Sequence, residues 1–353
     1  MNWEANVRKV EPYVAGEQPK QKGVIKLNTN ECPYPPAPGV IKGAEELKGG
    51  DFRLYPDMNA EKLVASLADY YQVKPEQVFV GVGSDDVLSM CFLTFFFGDK
   101  PILFPDITYS FYDVWAQLYR IPYEMCQLDE QLRIRKEDYL KPNGGIIIAN
   151  PNAPTGVFED VSVIEEIIAS NPDSVVIIDE AYVDFGGQSV MPLINKYENL
   201  IVVQTFSKSR AMAGMRIGFA VANEKLINYL KDAKFSFNSY TMNMPALELG
   251  VESVKDEQYF RDTVTKIMKT REWTKQQLAR LGFTFTDSMT NFIFASHKAI
   301  PARELFLALK EKNIYVRYWN KPRIDNYLRI TVGTDEEMQT LVAFLDQYIN
   351  KRN

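Results

Sequence analysis

Short, unbroken apolar runs constrain this chain more than any other feature: "QVFVGVG", "PILFP", "GIIIANP", "SVVIIDEAY", "NLIVVQTFS" and "MRIGFAVAN". Each has the length of a strand, and none offers a polar face to water. Stretches with helical spacing lie between most of them. "NAEKLVASLADYYQV" places Leu63, Val64, Leu67, Ala68 and Tyr71 on one face, with Asn59 as the expected N-cap, and "VLSMCFLTFFF", "YSFYDVWAQLY" and "VSVIEEIIAS" also read as helices. Strands that are apolar throughout need cover on both faces, which crossover helices provide for a parallel sheet. The expected fold class is α/β, with a large domain built on a mostly parallel sheet flanked by helices.

Beyond about residue 255 the texture changes. Long charged helices run to about Leu281, followed by "FTFTDSMTNFIFAS" as a strand pair, "ARELFLALKEKN" as a helix, and "IYVRYW" and "YLRITVG" as strands. A terminal helix then opens with a capping box from Thr334 to Glu337. This predicts a smaller α+β domain over residues 255–353, after a large domain over residues 46–254. Residues 1–45, which include the proline-rich "ECPYPPAPGV", are expected to form an arm joined to the small domain.

Composition removes several function classes. The 40 lysines and arginines are outnumbered by 46 acids and scattered among them, so no nucleic-acid surface is expected. Cys32, Cys91 and Cys126 form no C-x-x-C pair and are odd in number, which argues for a reducing compartment rather than a disulfide framework. The N-terminal stretch lacks the charged start and apolar run of a signal peptide, and the longest apolar patch, from Met90, is about half of a membrane span. A cytoplasmic protein without membrane contact is expected. The single histidine, His297 in "FASHKAIP", reads as a solvated turn residue, so Ser-His-Asp chemistry and histidine-based metal sites lack their key residue, and no metal is expected.

Chemistry gathers at the expected strand ends, where ligands of such sheets usually bind. These ends carry Gly83-Ser84-Asp85, Pro105 to Tyr109, "NPNAPTG", Asp179 to Tyr182, and Ser207-Lys208, with Arg216 opening the next strand. Taken singly, each has a plain reading. Lys208 can mark a strand end, "GVGSDD" can be a strand-turn-helix with Ser84 as N-cap, and "NPNAPTG" can be only a turn. Asp179 follows four apolar residues at the end of a buried strand, where a carboxylate should meet a cation, either in a salt bridge or on a protonated ligand nitrogen.

Together these groups meet the needs of one cofactor, pyridoxal 5'-phosphate. Its aldehyde needs an amine for a Schiff base, its ring nitrogen needs a carboxylate, and its phosphate needs a cationic cradle rich in N–H groups. Lys208, Asp179, and the set of Ser84, Ser207 and Arg216 supply these in turn.

The segments "LNTNECPY", "GVGSDD", "NPNAPTG", "IIDEAYVDF", "TFSKSRAMAGMRIGFA" and "YLRITVGT" stand in the order and spacing of the fold-type I, class II aminotransferases, and the chain resembles that family nearly end to end. The resemblance implies that Lys208 is the Schiff-base lysine and proton shuttle, that Asp179 pairs with the pyridine nitrogen, that Tyr182 hydrogen-bonds the ring oxygen, and that Tyr109 stacks on the ring. Asn152 would take over a contact with the ring oxygen, because Ala153 stands where many relatives carry asparagine. The backbone N–H groups of Ser84 and Asp85, with Thr205, Ser207 and Arg216, would hold the phosphate. Tyr55, in "FRLYP", would reach the phosphate in the neighbouring subunit, which makes the protein a homodimer with shared sites. Arg329 would clamp the carboxylate of glutamate or 2-oxoglutarate, Tyr13 and Arg317 would bind a substrate phosphate, and Asn30 would stand on the substrate side. Cys32, Pro35 and Asp86 depart from the asparagine, glycine and glutamate common in the family.

Within that family the chain looks most like the branch that transfers the amino group of histidinol phosphate to 2-oxoglutarate in histidine biosynthesis. Branches that use aromatic amino acids, or that decarboxylate phosphothreonine, share the same motifs and remain open. From a different class, so does a non-catalytic binding subunit. A nicotinamide-dependent dehydrogenase fits the alternating pattern but lacks the G-x-G-x-x-G fingerprint.

Overall fold

The computed structural model describes residues 3–14 and 16–351. Its strands, in chain order, are β1 (Ile25–Lys26), β2 (Val78–Gly81), β3 (Ile102–Pro105), β4 (Tyr123–Cys126), β5 (Gly145–Ala149), β6 (Val176–Asp179), β7 (Leu200–Thr205), β8 (Gly218–Ala222), β9 (Phe283–Phe285), β10 (Phe292–His297), β11 (Ile314–Tyr315), β12 (Arg317–Tyr318) and β13 (Leu328–Thr331). The central sheet has seven strands in the order β2-β8-β7-β6-β5-β3-β4. Only β8 runs against its neighbours, β2 and β7; the other pairings are parallel.

Every residue of β2, β3, β5, β6, β7 and β8 is buried, which accounts for sequences that are apolar without alternation. The strand pleat still divides the side chains between two layers. Ile146, Ile148, Val176, Ile178 and Val202 join the helices Glu61–Tyr71, Val161–Ala169 and Met244–Lys255 in one core. Ile147, Ile177, Ile201 and Val203 join the helices Ser84–Phe95, Tyr112–Tyr119 and Glu224–Phe237 in the other. Edge strand β4 has no apolar signature, because only Cys126 of its residues is buried.

The smaller sheet is antiparallel, in the order β12-β13-β10-β9, and β1 pairs in parallel with β11 to tie the N-terminal segment beside it. The expected strand "IYVRYW" is therefore two strands, since the chain passes from β11 to β12 through Val316 and changes sheets. The terminal helix Asp335–Asn350 opens with the expected reciprocal cap: Glu337 N donates to Thr334 Oγ1 at 3.2 Å and Thr334 N donates to Glu337 Oε2 at 2.8 Å.

Three local expectations are corrected. Asn59 does not cap its helix; Ala60 precedes Glu61 at φ 53°, and Asp57 accepts the N–H groups of Asn59 and Glu61 at 2.9 and 2.7 Å. Ser84 is the first helical residue, and Gly83 takes the cap position. His297 is buried, not solvated. Its Nδ1 accepts from Ala299 N and Ile300 N at 3.1 and 3.0 Å, which leaves the proton on Nε2 to reach Leu281 O at 3.0 Å. The ring thus ties the turn after β10 to the end of helix Glu257–Arg280.

Replacing His297 with alanine removes the partner of the buried Ile300 N–H, of the N–H of exposed Ala299, and of the Leu281 carbonyl. Urea titration should show a loss of about 1–3 kcal/mol for His297→Ala, with turnover unchanged; an unaltered midpoint would contradict this structural role.

Candidate active site

Strand register builds the site. It aligns Ala149, Asp179 and Val203 in one row, and Thr205, Gly218 and Gly81 in a row beyond it, all at the edge where the parallel strands end. A cavity of about 170 Å³ opens there. Its lining brings together Lys208, Asp179, Tyr182 and Tyr109 with Ser84, Asp85, Thr205, Ser207 and Arg216. A larger cavity of about 520 Å³ shares Tyr109, Tyr182 and Lys208 with it and adds Tyr13, Asn30, Arg317 and Arg329.

Asp179 decides what the smaller cavity can hold. It is 5% exposed and has no ion-pair partner among the described residues. Its oxygens accept only from the Tyr112 hydroxyl at 2.8 Å and from Ala181 N at 3.2 Å. Burial pushes its pKa up to about 6 against these two hydrogen bonds. The salt bridge that the sequence left open is thus absent, and a protonated nitrogen supplied by a ligand would offset the desolvation.

The cradle on the other side rests on close backbone approach. Gly83 has φ 82°, and a Cβ on it would lie 2.5 Å from Arg216 Nη2. A Cβ on Gly218 would lie 2.2 Å from Ser84 N, so both glycines keep this helix start open. The N–H groups at that start have no helical acceptor, which suits an anion. Arg216 itself sits at φ 54°; its Nη2 is 3.2 Å from Asp85 Oδ2, and its Nη1 donates to Ser207 Oγ at 3.3 Å. Thr205 Oγ1 stands 3.0 Å from Ser207 Oγ, and the Tyr109 hydroxyl donates to Asp85 Oδ1 at 2.7 Å. The unpaired buried carboxylate at one end and this cationic, N–H-rich cradle at the other fit pyridoxal 5'-phosphate.

Lys208 stands between them on a braced turn. Its Nζ donates to Thr29 O at 3.4 Å and lies 5.7 Å from the centre of the Tyr182 ring. Ser209 Oγ donates to Asp184 at 2.5 Å, and the buried Arg210 donates to Ser253 O while stacking its guanidinium over Tyr70, Phe206 and Phe260. Asn30 Nδ2 donates to the Tyr182 hydroxyl at 2.9 Å, which leaves that hydroxyl's own proton to be donated elsewhere.

Two sequence candidates fall outside. Asn152 accepts from Thr108 Oγ1 at 2.7 Å and gives its amide hydrogens to Ile107 O and Thr155 Oγ1, both at 2.9 Å. It braces its loop against the segment after β3, and Ala153 rather than Asn152 lines the smaller cavity. Tyr55 is 82% exposed, beside Tyr240, and does not line either cavity. Tyr112, which hydrogen-bonds Asp179, was missed because it reads as one more apolar position of its helix.

The sign of the Asp179 effect on stability follows from these pKa values. The unfolded side chain loses its proton near 3.8 and the folded one near about 6, so the native state binds that proton more tightly. The penalty is absent well below pH 4, grows between pH 4 and 6, and is complete above. Asp179→Asn should therefore stabilise the cofactor-free protein by about 3 kcal/mol at pH 8 and by less than about 1 kcal/mol at pH 4, in paired urea titrations.

Residues 22–345 match the family model of aminotransferase class I and II. The histidinol-phosphate aminotransferase of Lactococcus lactis subsp. cremoris (strain SK11) is 51% identical over 352 residues, covering 100% of this chain and 99% of its own. That of Clostridium botulinum (strain Kyoto / Type A2) is 48% identical over 349 residues, covering 99% of each. Among solved structures, histidinol-phosphate aminotransferase from Sinorhizobium meliloti, in complex with pyridoxal-5'-phosphate, gives a TM-score of 0.85 at 21% identity over 93% of this chain and 92% of that one. L-threonine-O-3-phosphate decarboxylase from Porphyromonas gingivalis gives 0.77 at 22% identity over 93% and 100%. At such identities the structures speak for the fold alone. The family match, in contrast, takes in the whole central sheet and both cavities except for Tyr13, Gly16 and Gln18, and the chain belongs to the class I and II aminotransferases, enzymes that work with pyridoxal 5'-phosphate.

Proposed function

We propose that the protein transfers the amino group of histidinol phosphate to 2-oxoglutarate, giving imidazole acetol phosphate and glutamate, and that it works as a cytoplasmic homodimer. The observation that carries the substrate class is Arg329. It lines the larger cavity with Lys208, it gives Nη2 to Asn28 O at 2.9 Å, and its buried Nε has no hydrogen-bond partner. Burial presses its pKa below the ordinary arginine value, which an anionic partner would reverse. Its fork suits a carboxylate bound at two points. Arg317 and Tyr13 line the same cavity, and a phosphate on the amino donor is the second anion they would take. The full-length likeness to histidinol-phosphate aminotransferases at about half identity favours this donor.

Bound pyridoxal phosphate supplies an aldehyde that captures the amine and a ring that takes up the electron pair left by the α-proton. The chain's own residues do the rest. Asp179 would keep a proton on the ring nitrogen, and Tyr182, oriented by Asn30, would donate to the ring oxygen. Ser84, Asp85, Thr205, Ser207 and Arg216 would hold the phosphate, and Tyr109 would flank the ring. Lys208 Nζ would hold the cofactor as an amine and, when freed by the substrate amine, would be the group that carries the α-proton in either direction of the transfer.

Residues 46–254 serve in this reading as the cofactor domain and 255–353 as the small domain, with 1–45 as the arm paired to it through β1 and β11. Tyr55 stands with Phe52, Leu54, Phe237 and Tyr240 among the exposed large hydrophobic side chains, apolar surface that a second copy would cover. No helix among the described residues is long and apolar enough to cross a membrane.

An absorbance scan with histidinol phosphate and no keto acid tests the reading. The yellow band of the holoenzyme should bleach in a single turnover and return with 2-oxoglutarate. A band that persists with histidinol phosphate but bleaches with an aromatic amino acid moves the donor, and stoichiometric CO2 release from phosphothreonine points to decarboxylation. Lys208→Ala should lower turnover by about a thousandfold or more. Arg329→Ala should raise the KM for 2-oxoglutarate about a hundredfold, in steady-state assays at fixed donor.

A further inference from the structure

Residues 319–327, between β12 and β13, form one wall of the larger cavity, and they are fastened to the opposite wall. Arg323 sits at φ 70° and reaches across. Its Nη1 donates to Asp106 Oδ2 at 2.6 Å, and its Nη2 donates to Leu128 O at 2.7 Å and Asp129 O at 3.1 Å. The receiving side is rigid. Asp106 follows β3, gives its N–H to Cys126 O, and accepts from Leu128 N at 2.9 Å, while Asp129 Oδ1 accepts from Gln131 N and Arg133 N. Apolar contacts add to the ionic bridge: Ile324 is buried in one cluster with Ile107, Leu128, Leu132 and Phe294, and Tyr327 stacks on Phe294 at 4.5 Å.

What this bridge holds in place is Trp319, which packs against the same cluster. Its ring lies 5.3 Å from the guanidinium carbon of Arg317 and 5.2 Å from that of Arg329. One indole therefore spaces the two arginines assigned to the substrate anions. The bridge also answers a charge problem. Asp106 lines a cavity read as binding anions, where its carboxylate would repel them if it stood alone.

We propose that Arg323 is a positioning residue for substrate binding: by bridging Asp106 and the Leu128 and Asp129 carbonyls it keeps residues 319–327 closed, so that Trp319 holds Arg317 and Arg329 at the spacing the substrate needs. The inference rests on the reading of those two arginines as anion sites.

The holoenzyme variants Arg323→Ala and Arg323→Lys test it with two readouts, steady-state kinetics and backbone hydrogen exchange. Arg323→Ala should raise the KM for glutamate and for 2-oxoglutarate about five- to tenfold with kcat within about twofold. Exchange should speed up at Ile324 and Tyr327, and the cofactor band should stay unchanged. Lysine reaches Asp106 but has no second nitrogen for the carbonyls, so Arg323→Lys should give the same pattern at about half the size on a log scale; it carries the test if the alanine variant does not fold. A KM within about twofold of the parent with unaltered exchange overturns the proposal, as does a fall in kcat at constant KM. Glutamate is a substrate in every transamination reading. A parent enzyme that ignores histidinol phosphate thus sinks the proposed donor while the glutamate data still decide the role of Arg323.

Discussion

A carboxylate without a cation, at the end of a strand whose every residue is buried, is the constraint on which this structure turns. Asp179 closes β6 between β5 and β7, where water is excluded and desolvation raises its pKa. Its neighbour Glu180 shows how the chain treats a buried carboxylate that needs no ligand. Burial pushes Glu180 up to about 7, and it accepts from Ser189 Oγ, Val190 N and Gln204 Nε2 at 2.6, 2.7 and 2.9 Å. Asp179 has two donors and lines a cavity. Two acids one residue apart are thus one structural and one available, and the difference lies in the donors each finds.

The rest of the small cavity is built around that carboxylate by the sheet. A parallel sheet delivers strand ends to one edge, and the antiparallel strand β8 begins at the same edge, so Gly218 meets the helix start at Ser84. Lys208 lies on a turn locked by Ser209, Asp184 and Arg210, and Arg216 holds a left-handed conformation that few non-glycine residues adopt. Such fixed turns set the amine, the carboxylate and the cationic cradle before any ligand arrives, which is the preorganisation that catalysis by positioning requires.

The larger cavity forms a second layer. Arg317 and Arg329 come from the antiparallel sheet, Tyr13 from the N-terminal segment, and Asp106 and Tyr109 from loops after β3. The walls of the larger cavity thus come from both sheets, and its shape depends on contacts that cross between them. The Arg323 bridge and the apolar cluster around Ile324 are such contacts.

Much of this was legible in the sequence for physical reasons. Strands buried on both faces must be apolar without a break, so β2, β3, β5, β6 and β7 announce themselves; edge strand β4 does not, since water covers most of it. The Thr334 to Glu337 cap is local chemistry and reads directly. Lys208, Asp179 and Arg216 stood out because charges at the ends of buried strands need a reason. Partnerships across the chain did not stand out. Tyr112 beneath Asp179, Arg323 against Asp106, Asn152 against Ile107 and His297 against Leu281 join residues from 16 to 217 positions apart. The sequence by itself determined the buried sheet and the cofactor chemistry, because burial and charge act residue by residue. Tertiary structure alone decided which polar groups remain free, because a hydrogen bond depends on where two distant segments meet.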